Sequence, residues 1–237
     1  MKRLLTAAGL AAGVAGLLHA APAVAFVPQL RNRFLPGLAG VGRPGQVALT
    51  FDDGPHPEAT PLVLQELARH GVRATFFVLG HELARHPDLG RRIAAEGHEL
   101  AVHGWDHTCL LLKRRRVIRR ELDQTANLIE DLTGTRPRWF RAPYGVFSTG
   151  SLRAATDAGL TPVLWTCWGF DWTATATADS VLSEIHHRLA DRGTILLHDS
   201  DVAAKPECWR STVAALPRLF ADCARLGLKP VPLRDHL

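Results

Sequence analysis

Two carboxylates stand side by side in Thr50-Phe51-Asp52-Asp53-Gly54-Pro55. Adjacent carboxylates repel each other and are easiest to keep ionised beside a cation, so a metal ligand next to a general base is the chemistry this pair could do. Asp-Gly-Pro is also ordinary turn chemistry, and a loop bearing two solvated acids is the competing reading. His103-Gly104-Trp105-Asp106-His107 places two imidazoles four residues apart, within reach of one cation from a turn or from one helical face. Gly104 stands where a zincin helix would need Glu, which excludes a HExxH protease. With 12 histidines in the chain such a spacing also arises by chance. Added to Asp53, the pair makes a set of one Asp and two His that leaves coordination positions open for water and substrate. Asp106 is a rival oxygen ligand.

Three further stretches carry reactive groups. Arg141-Ala142-Pro143-Tyr144-Gly145 joins a fixed cation to a rigid turn; Arg141 can orient a carboxylate, and the backbone N–H after Pro143 can face a developing oxyanion. A salt bridge and a tight turn would read the same way. Ile195-Leu196-Leu197-His198-Asp199 ends an apolar run with an imidazole, a group able to protonate a departing amine, although a lone histidine there is more often structural. Asp171, inside Trp168-Gly169-Phe170-Asp171-Trp172, is a nearby acid.

The elements that must position these groups alternate along the chain. Short apolar runs at 46–51, 74–78, 99–102, near Trp139, and at 162–165, 194–197 and 229–231 read as strands. Between them, 60–70, 87–96, 115–132, 151–158, 179–189 and 212–226 have helical spacing, with Gly71 and Gly97 as stop signals. Repeated β/α units of this kind predict an α/β fold with a parallel sheet. About seven strands in this length favour a closed or distorted barrel. Asp52, Asp53, His103, Arg141, Asp171 and His198 each fall just past a strand end, and in such a barrel those ends share one rim.

Composition narrows the setting. Lys2 and Arg3 followed by the apolar run 4–18 and Ala23-Val24-Ala25 have the layout of a secretory signal peptide over residues 1–25, with cleavage before Phe26. The run is shorter than the roughly 20 residues that span a bilayer, so no stable membrane span is expected after cleavage. Residues 26–45, rich in Pro and Gly, read as an irregular lead-in, and 46–237 as one domain. The formal charge of +5 is mild and no basic run suggests nucleic acid. Four cysteines, Cys109, Cys167, Cys208 and Cys223, permit disulfides in an exported chain, or buried free thiols, without fixing a pairing.

The five reactive stretches, in this order, resemble the polysaccharide deacetylase family, carbohydrate esterase family 4, built on the NodB homology domain. The likeness runs from about Val47 to the C-terminus. It implies a distorted (β/α)7-type barrel and one divalent metal ion, usually zinc and in some members cobalt or nickel. Matched by position, the resemblance makes Asp52 the general base and Asp53, His103 and His107 the metal ligands. Arg141 would hold Asp52, the Tyr144 amide would form the oxyanion hole, and His198 would be the general acid. Trp172 and Leu196 would form the slot for the acetyl methyl, with Pro143 among the substrate contacts. Two departures stand out: Gly104 replaces the usual Ser or Thr, and Trp168 replaces the usual Asp, leaving Asp171 to tune His198. The implied activity is N-deacetylation of an amino-sugar polysaccharide of peptidoglycan or chitin type by an exported, extracellular or cell-wall-associated monomer. An O-acetyl esterase acting on xylan and a non-catalytic carbohydrate-binding relative are the alternatives.

Overall fold

The computed structural model describes residues 13–14 and 16–237, so the basic start and most of the apolar run of the expected signal peptide lie outside the described residues. The first strand, β1 (Gln46–Asp52), is buried from Val47 onward, the pattern of a strand covered on both faces. Its side chains alternate between two cores. Leu49 and Phe51 point to the larger core beneath the helices, while Ala48 joins Phe77, Ala101, Trp139, Val163 and Leu233 in the small interior. Period-two alternation carries Thr50 and Asp52 to that interior side too, so Asp52 is the last inward residue at the rim.

Around β1 the chain lays down α2 (Ala59–Arg69) after a short α1 (Pro28–Phe34), then β2 (Thr75–Val78), α3 (Gly80–Arg85), α4 (Pro87–Ala95) and β3 (Glu99–Val102). There follow α5 (Arg115–Thr133), β4 (Trp139–Phe140), α6 (Thr149–Asp157), β5 (Thr161–Pro162) and β6 (Cys167–Trp168). The chain ends with α7 (Ala178–His186), β7 (Thr194–His198), α8 (Trp209–Arg225), β8 (Lys229–Val231) and α9 (Leu233–His236). Helix starts and stops have local causes. Ser148 and Thr177 close capping boxes at α6 and α7, and α5 stops at Gly134 in the left-handed conformation.

All ladders are parallel, in the order β5-β4-β3-β2-β1-β7-β6, with β8 against the first half of β1. The sheet curls into a half-barrel with helices outside it, the expected distorted barrel. Register fixes the rim: Asp52 lies opposite His198 across β1 and β7.

Three local expectations are corrected. The strand expected at 162–165 is replaced by β5 and β6, because the Val163 and Leu164 carbonyls accept from the Arg141 guanidinium instead of from a ladder. Helix α3 was not anticipated from the pattern of Gly80–Arg85, which is too short to show a period. The lead-in is only partly irregular: α1 and the 3-10 turn Pro36–Leu38, preceded by the 3-10 turn Ala21–Phe26, each have Pro in the first turn, while residues 39–45 form no helix or strand. All four cysteine thiols are free. No helix among the described residues is long and apolar enough to cross a membrane.

Candidate active site

Arg141, immediately after β4, is fully buried inside the half-barrel. Its Nη1 donates to Asp52 Oδ1 at 2.6 Å and to Thr50 Oγ1 at 2.8 Å, while Nη2 and Nε reach the Leu164 and Val163 carbonyls. The guanidinium also lies 4.0 Å over the Phe77 ring. A cation held on so many sides fixes the orientation of the carboxylate it pairs with. Breaking a buried pair strands the partner charge, so Arg141→Met should lower stability by about 3–5 kcal/mol. Chemical denaturation would read this as a fall in midpoint, and Asp52→Asn in the same chain should recover part of the loss.

The second carboxylate faces the two imidazoles. Asp53 Oδ1 lies 3.1 Å from His103 Nε2 and 3.2 Å from His107 Nε2, and one ligand atom from each residue falls within 4.8 Å of the others. His103 Nδ1 is 2.9 Å from the Arg141 carbonyl, which can only accept, so Nδ1 carries the proton and Nε2 is free to present a lone pair. Asp53 Oδ1 is buried and accepts no hydrogen bond. A buried oxygen without a donor, facing an imidazole lone pair, is the donor set of a divalent cation. Burial pushes the Asp53 carboxyl up; without a cation, protons on the Nε2 atoms of His103 and His107 and the His198 charge would hold it well below the usual carboxylate range, and a bound cation would take the place of those protons. The residues present therefore fit the metal that the sequence implied. Asp106 is turned elsewhere: its carboxylate pairs with Lys113 at 2.6 Å.

The loop between the two histidines is braced without the missing hydroxyl. Gly104 sits at φ +100°, a conformation that favours glycine. Its carbonyl accepts from Thr125 Oγ1 on α5 and from the Gly80 N–H. Asp53, His107 and Tyr144 also have positive φ, at 74°, 57° and 60°. Unusual backbone thus gathers where the reactive groups meet.

His198, at the end of β7, is held by Asp171. Nδ1 lies 2.9 Å from Asp171 Oδ1, and the His198 N–H donates to Oδ2 at 2.7 Å, an oxygen that also accepts from Thr212 Oγ1. Burial disfavours the imidazolium, but Asp171, and beyond it Asp53 and Asp52, push its pKa up to about 10. Trp168 does not enter this pair; it stacks under the Arg188 guanidinium at 4.4 Å.

A cavity of about 640 Å³ opens over these groups. Asp52, Asp53, His103, His107 and His198 line it together with Trp172 and Leu196. The Trp172 ring meets His198 edge-on at 5.3 Å. Tyr144 lines it as well, its ring 4.5 Å from that of His107. Its N–H belongs to the first turn of Pro143–Gly145, where donors have no intrahelical acceptor. Pro143 opens that turn, is buried, and is not part of the cavity lining.

Several residues of the site escaped the sequence reading. Thr50 had a signal, since it lies two residues before Asp52 on the same strand face. Thr125 and Thr212 had none, being far away in sequence. Asp199 is buried, and accepts from Thr60 Oγ1 at 2.5 Å. Burial, and then the Asp53 charge, push it up to about 7. It also explains Gly54, where a Cβ would collide with the Asp199 carboxylate.

The parallel half-barrel thus brings the carboxylates and imidazoles together on one rim, and comparison gives the family. The polysaccharide deacetylase family model matches residues 39–163. A chitooligosaccharide deacetylase of Sinorhizobium fredii is 38% identical over 188 residues, covering 77% of this chain and 86% of the relative. A peptidoglycan-N-acetylglucosamine deacetylase of Bacillus cereus is 32% identical over 169 residues, covering 71% and 61%. The crystal structure of the Bc1960 peptidoglycan N-acetylglucosamine deacetylase superposes with a TM-score of 0.76 at 30% identity, covering 83% of this chain and 89% of that one. The chain belongs to the polysaccharide deacetylase family, the NodB-type carbohydrate esterases of family 4.

Proposed function

We propose that this chain is a metal-dependent hydrolase that removes N-acetyl groups from an amino-sugar polysaccharide or oligosaccharide of peptidoglycan or chitin type, releasing acetate. The observation that carries the reading is the convergence on one rim of a three-residue cation site, a carboxylate held by Arg141 and an imidazole held by Asp171. The named activities of the relatives favour the amide substrate.

Asp53, His103 and His107 would hold the ion, zinc first and cobalt or nickel as substitutes. Such an ion, when bound, supplies Lewis acidity to the acetyl carbonyl and to a coordinated water. Asp52, oriented by Arg141, takes the proton of the attacking water as its oxygen adds to the acetyl carbon. The Tyr144 N–H donates to the carbonyl oxygen as charge develops on it. His198 then gives its proton to the sugar nitrogen as the C–N bond breaks, so water is divided between acetate and a free amine. Trp172 and Leu196 take the methyl group. A pure binding protein would need neither the held base nor the held acid, which speaks against a non-catalytic role.

Acetate release from N-acetylglucosamine oligomers and from acetylated xylan, each with and without chelator, tests the reading. Chelator-sensitive release from the first supports it; release confined to xylan would make the enzyme an O-acetyl esterase. Metal analysis should find about one divalent ion per chain, and His107→Ala should lose most of it. Equal metal content in the two proteins would remove His107 from the site. Residues 1–25 serve as the export signal in this reading, and the mature monomer works outside the cell or at its wall.

A further inference from the structure

The segment before the barrel has no task in the proposed chemistry, yet it is built into the cavity. Phe26, Val27, Pro28 and Arg31 line the same space as the catalytic groups, and they lie outside residues 39–163 that the family model matches. The segment is fixed firmly. Arg31 is 4% exposed. Its Nη2 donates to the Trp165 carbonyl at 2.8 Å and its Nη1 to the Ala25 carbonyl at 3.2 Å. Burial, and then the Arg141 charge, lower its pKa, and among the described residues no carboxylate comes within ion-pair range of it. A guanidinium buried without an acid is costly. What it gains in return is a tie between the lead-in and the loop at Trp165. The tie is reinforced where the Leu164 N–H donates to the Leu38 carbonyl and Thr194 Oγ1 to the Gly40 carbonyl.

Held in this way, Phe26 and Val27 remain exposed at the cavity, 58% and 41% respectively. Large apolar side chains kept in water at the mouth of a polar site mark a contact for a ligand. Pyranose rings are such ligands, since their C–H faces lie flat on aromatic side chains while their hydroxyls stay hydrated. The acetyl slot already has its own lining, and a cavity of about 640 Å³ is larger than an acetamide needs.

We propose that Phe26, positioned by the Arg31 tie, forms the contact for the sugar unit next to the one being deacetylated, so that the lead-in sets a preference for oligosaccharides over the free N-acetyl sugar. The inference rests on a glycan substrate. Phe26 lies on the retained side of the expected cleavage and Ala25 does not, so in the processed chain the tie rests on the bonds of Arg31 to Trp165 and of Leu164 to Leu38.

The test measures binding, by tryptophan fluorescence, of an N-acetylglucosamine tetramer and of N-acetylglucosamine itself to the full chain, to Phe26→Ala and to Arg31→Met. Phe26→Ala removes an exposed ring and should fold normally. It should weaken tetramer binding about 5- to 10-fold, an ordinary loss for one stacked aromatic, and leave the monomer unchanged. Arg31→Met should shift the tetramer in the same direction. Equal tetramer affinity in the full chain and Phe26→Ala would overturn the proposal. So would an equal loss for monomer and tetramer, which would place the ring against the acetylated sugar itself. Acetate release by the metal-loaded full chain is scored separately: its absence, with the binding difference intact, would sink the deacetylase reading and leave the sugar contact standing.

Discussion

Asp52→Asn should keep the fold and the metal and lose roughly 10²- to 10⁴-fold in kcat, the usual contribution of a general base. The amide can still accept from Arg141 Nη1 and Thr50 remains in place, so the buried guanidinium keeps a partner. It cannot take a proton from water. Metal content equal to the parent chain, together with the loss in kcat, separates this outcome from collapse of the site. Near-parental turnover would move the base elsewhere. Asp199 would be the first residue to examine, since it is a buried carboxyl one residue past His198 that has no assigned task, and its pKa of about 7 suits proton transfer at neutral pH.

Asp171→Asn should shift the basic limb of the kcat/KM profile to lower pH by more than one unit. The acid form of His198 is the working form, so activity falls as pH rises through its pKa. Burial opposes that form, and Asp171 is the largest charge supporting it. Removing the carboxylate leaves the desolvation in force, and the pKa drops from about 10 towards or below the ordinary 6.5. A divalent ion at Asp53 offsets the help from Asp53 and Asp52, so in the loaded enzyme both limbs lie lower while their separation persists. The same pair has a linkage sign: a folded-state pKa above 6.5 adds stability below pH 6.5, which is lost as pH rises through about 10. The variant should therefore lose stability at pH 6 and resemble the parent above pH 10. Superimposable normalised rate profiles would leave Asp171 with the sole task of bonding the His198 N–H and Thr212.

Much of this was legible because a parallel strand writes its burial as an apolar run and its end as a change to polar residues. β1, β3 and β8 could be bounded to within about a residue for that reason, and the reactive groups followed from their places at strand ends. Lone groups whose partners are distant in sequence were not legible. Thr125 replaces a hydroxyl that the histidine loop lacks, from a helix 21 residues away. Thr212 completes the shell of Asp171 from 41 residues away. The strand expected at 162–165 failed because a side chain, Arg141, took the carbonyls that a ladder would have used. Helix α1 inside the lead-in was not legible because Pro and Gly signal a break in regular structure without saying what the broken chain then packs against.

The left-handed backbone at Asp53, His107 and Tyr144 has a consequence for lineages rather than for molecules. Non-glycine residues held there cost of order 1–3 kcal/mol each when strained, and Tyr144, lacking the short polar side chain that eases this conformation, stands at the upper part of that range. The cost is tolerable only while turnover is under selection. A descendant that had abandoned hydrolysis would gain thermal stability by drifting to glycine at Tyr144, which offers the cation no side-chain ligand. Glycine at that position would therefore identify a lapsed member from its sequence, before any ligand of the cation had been lost.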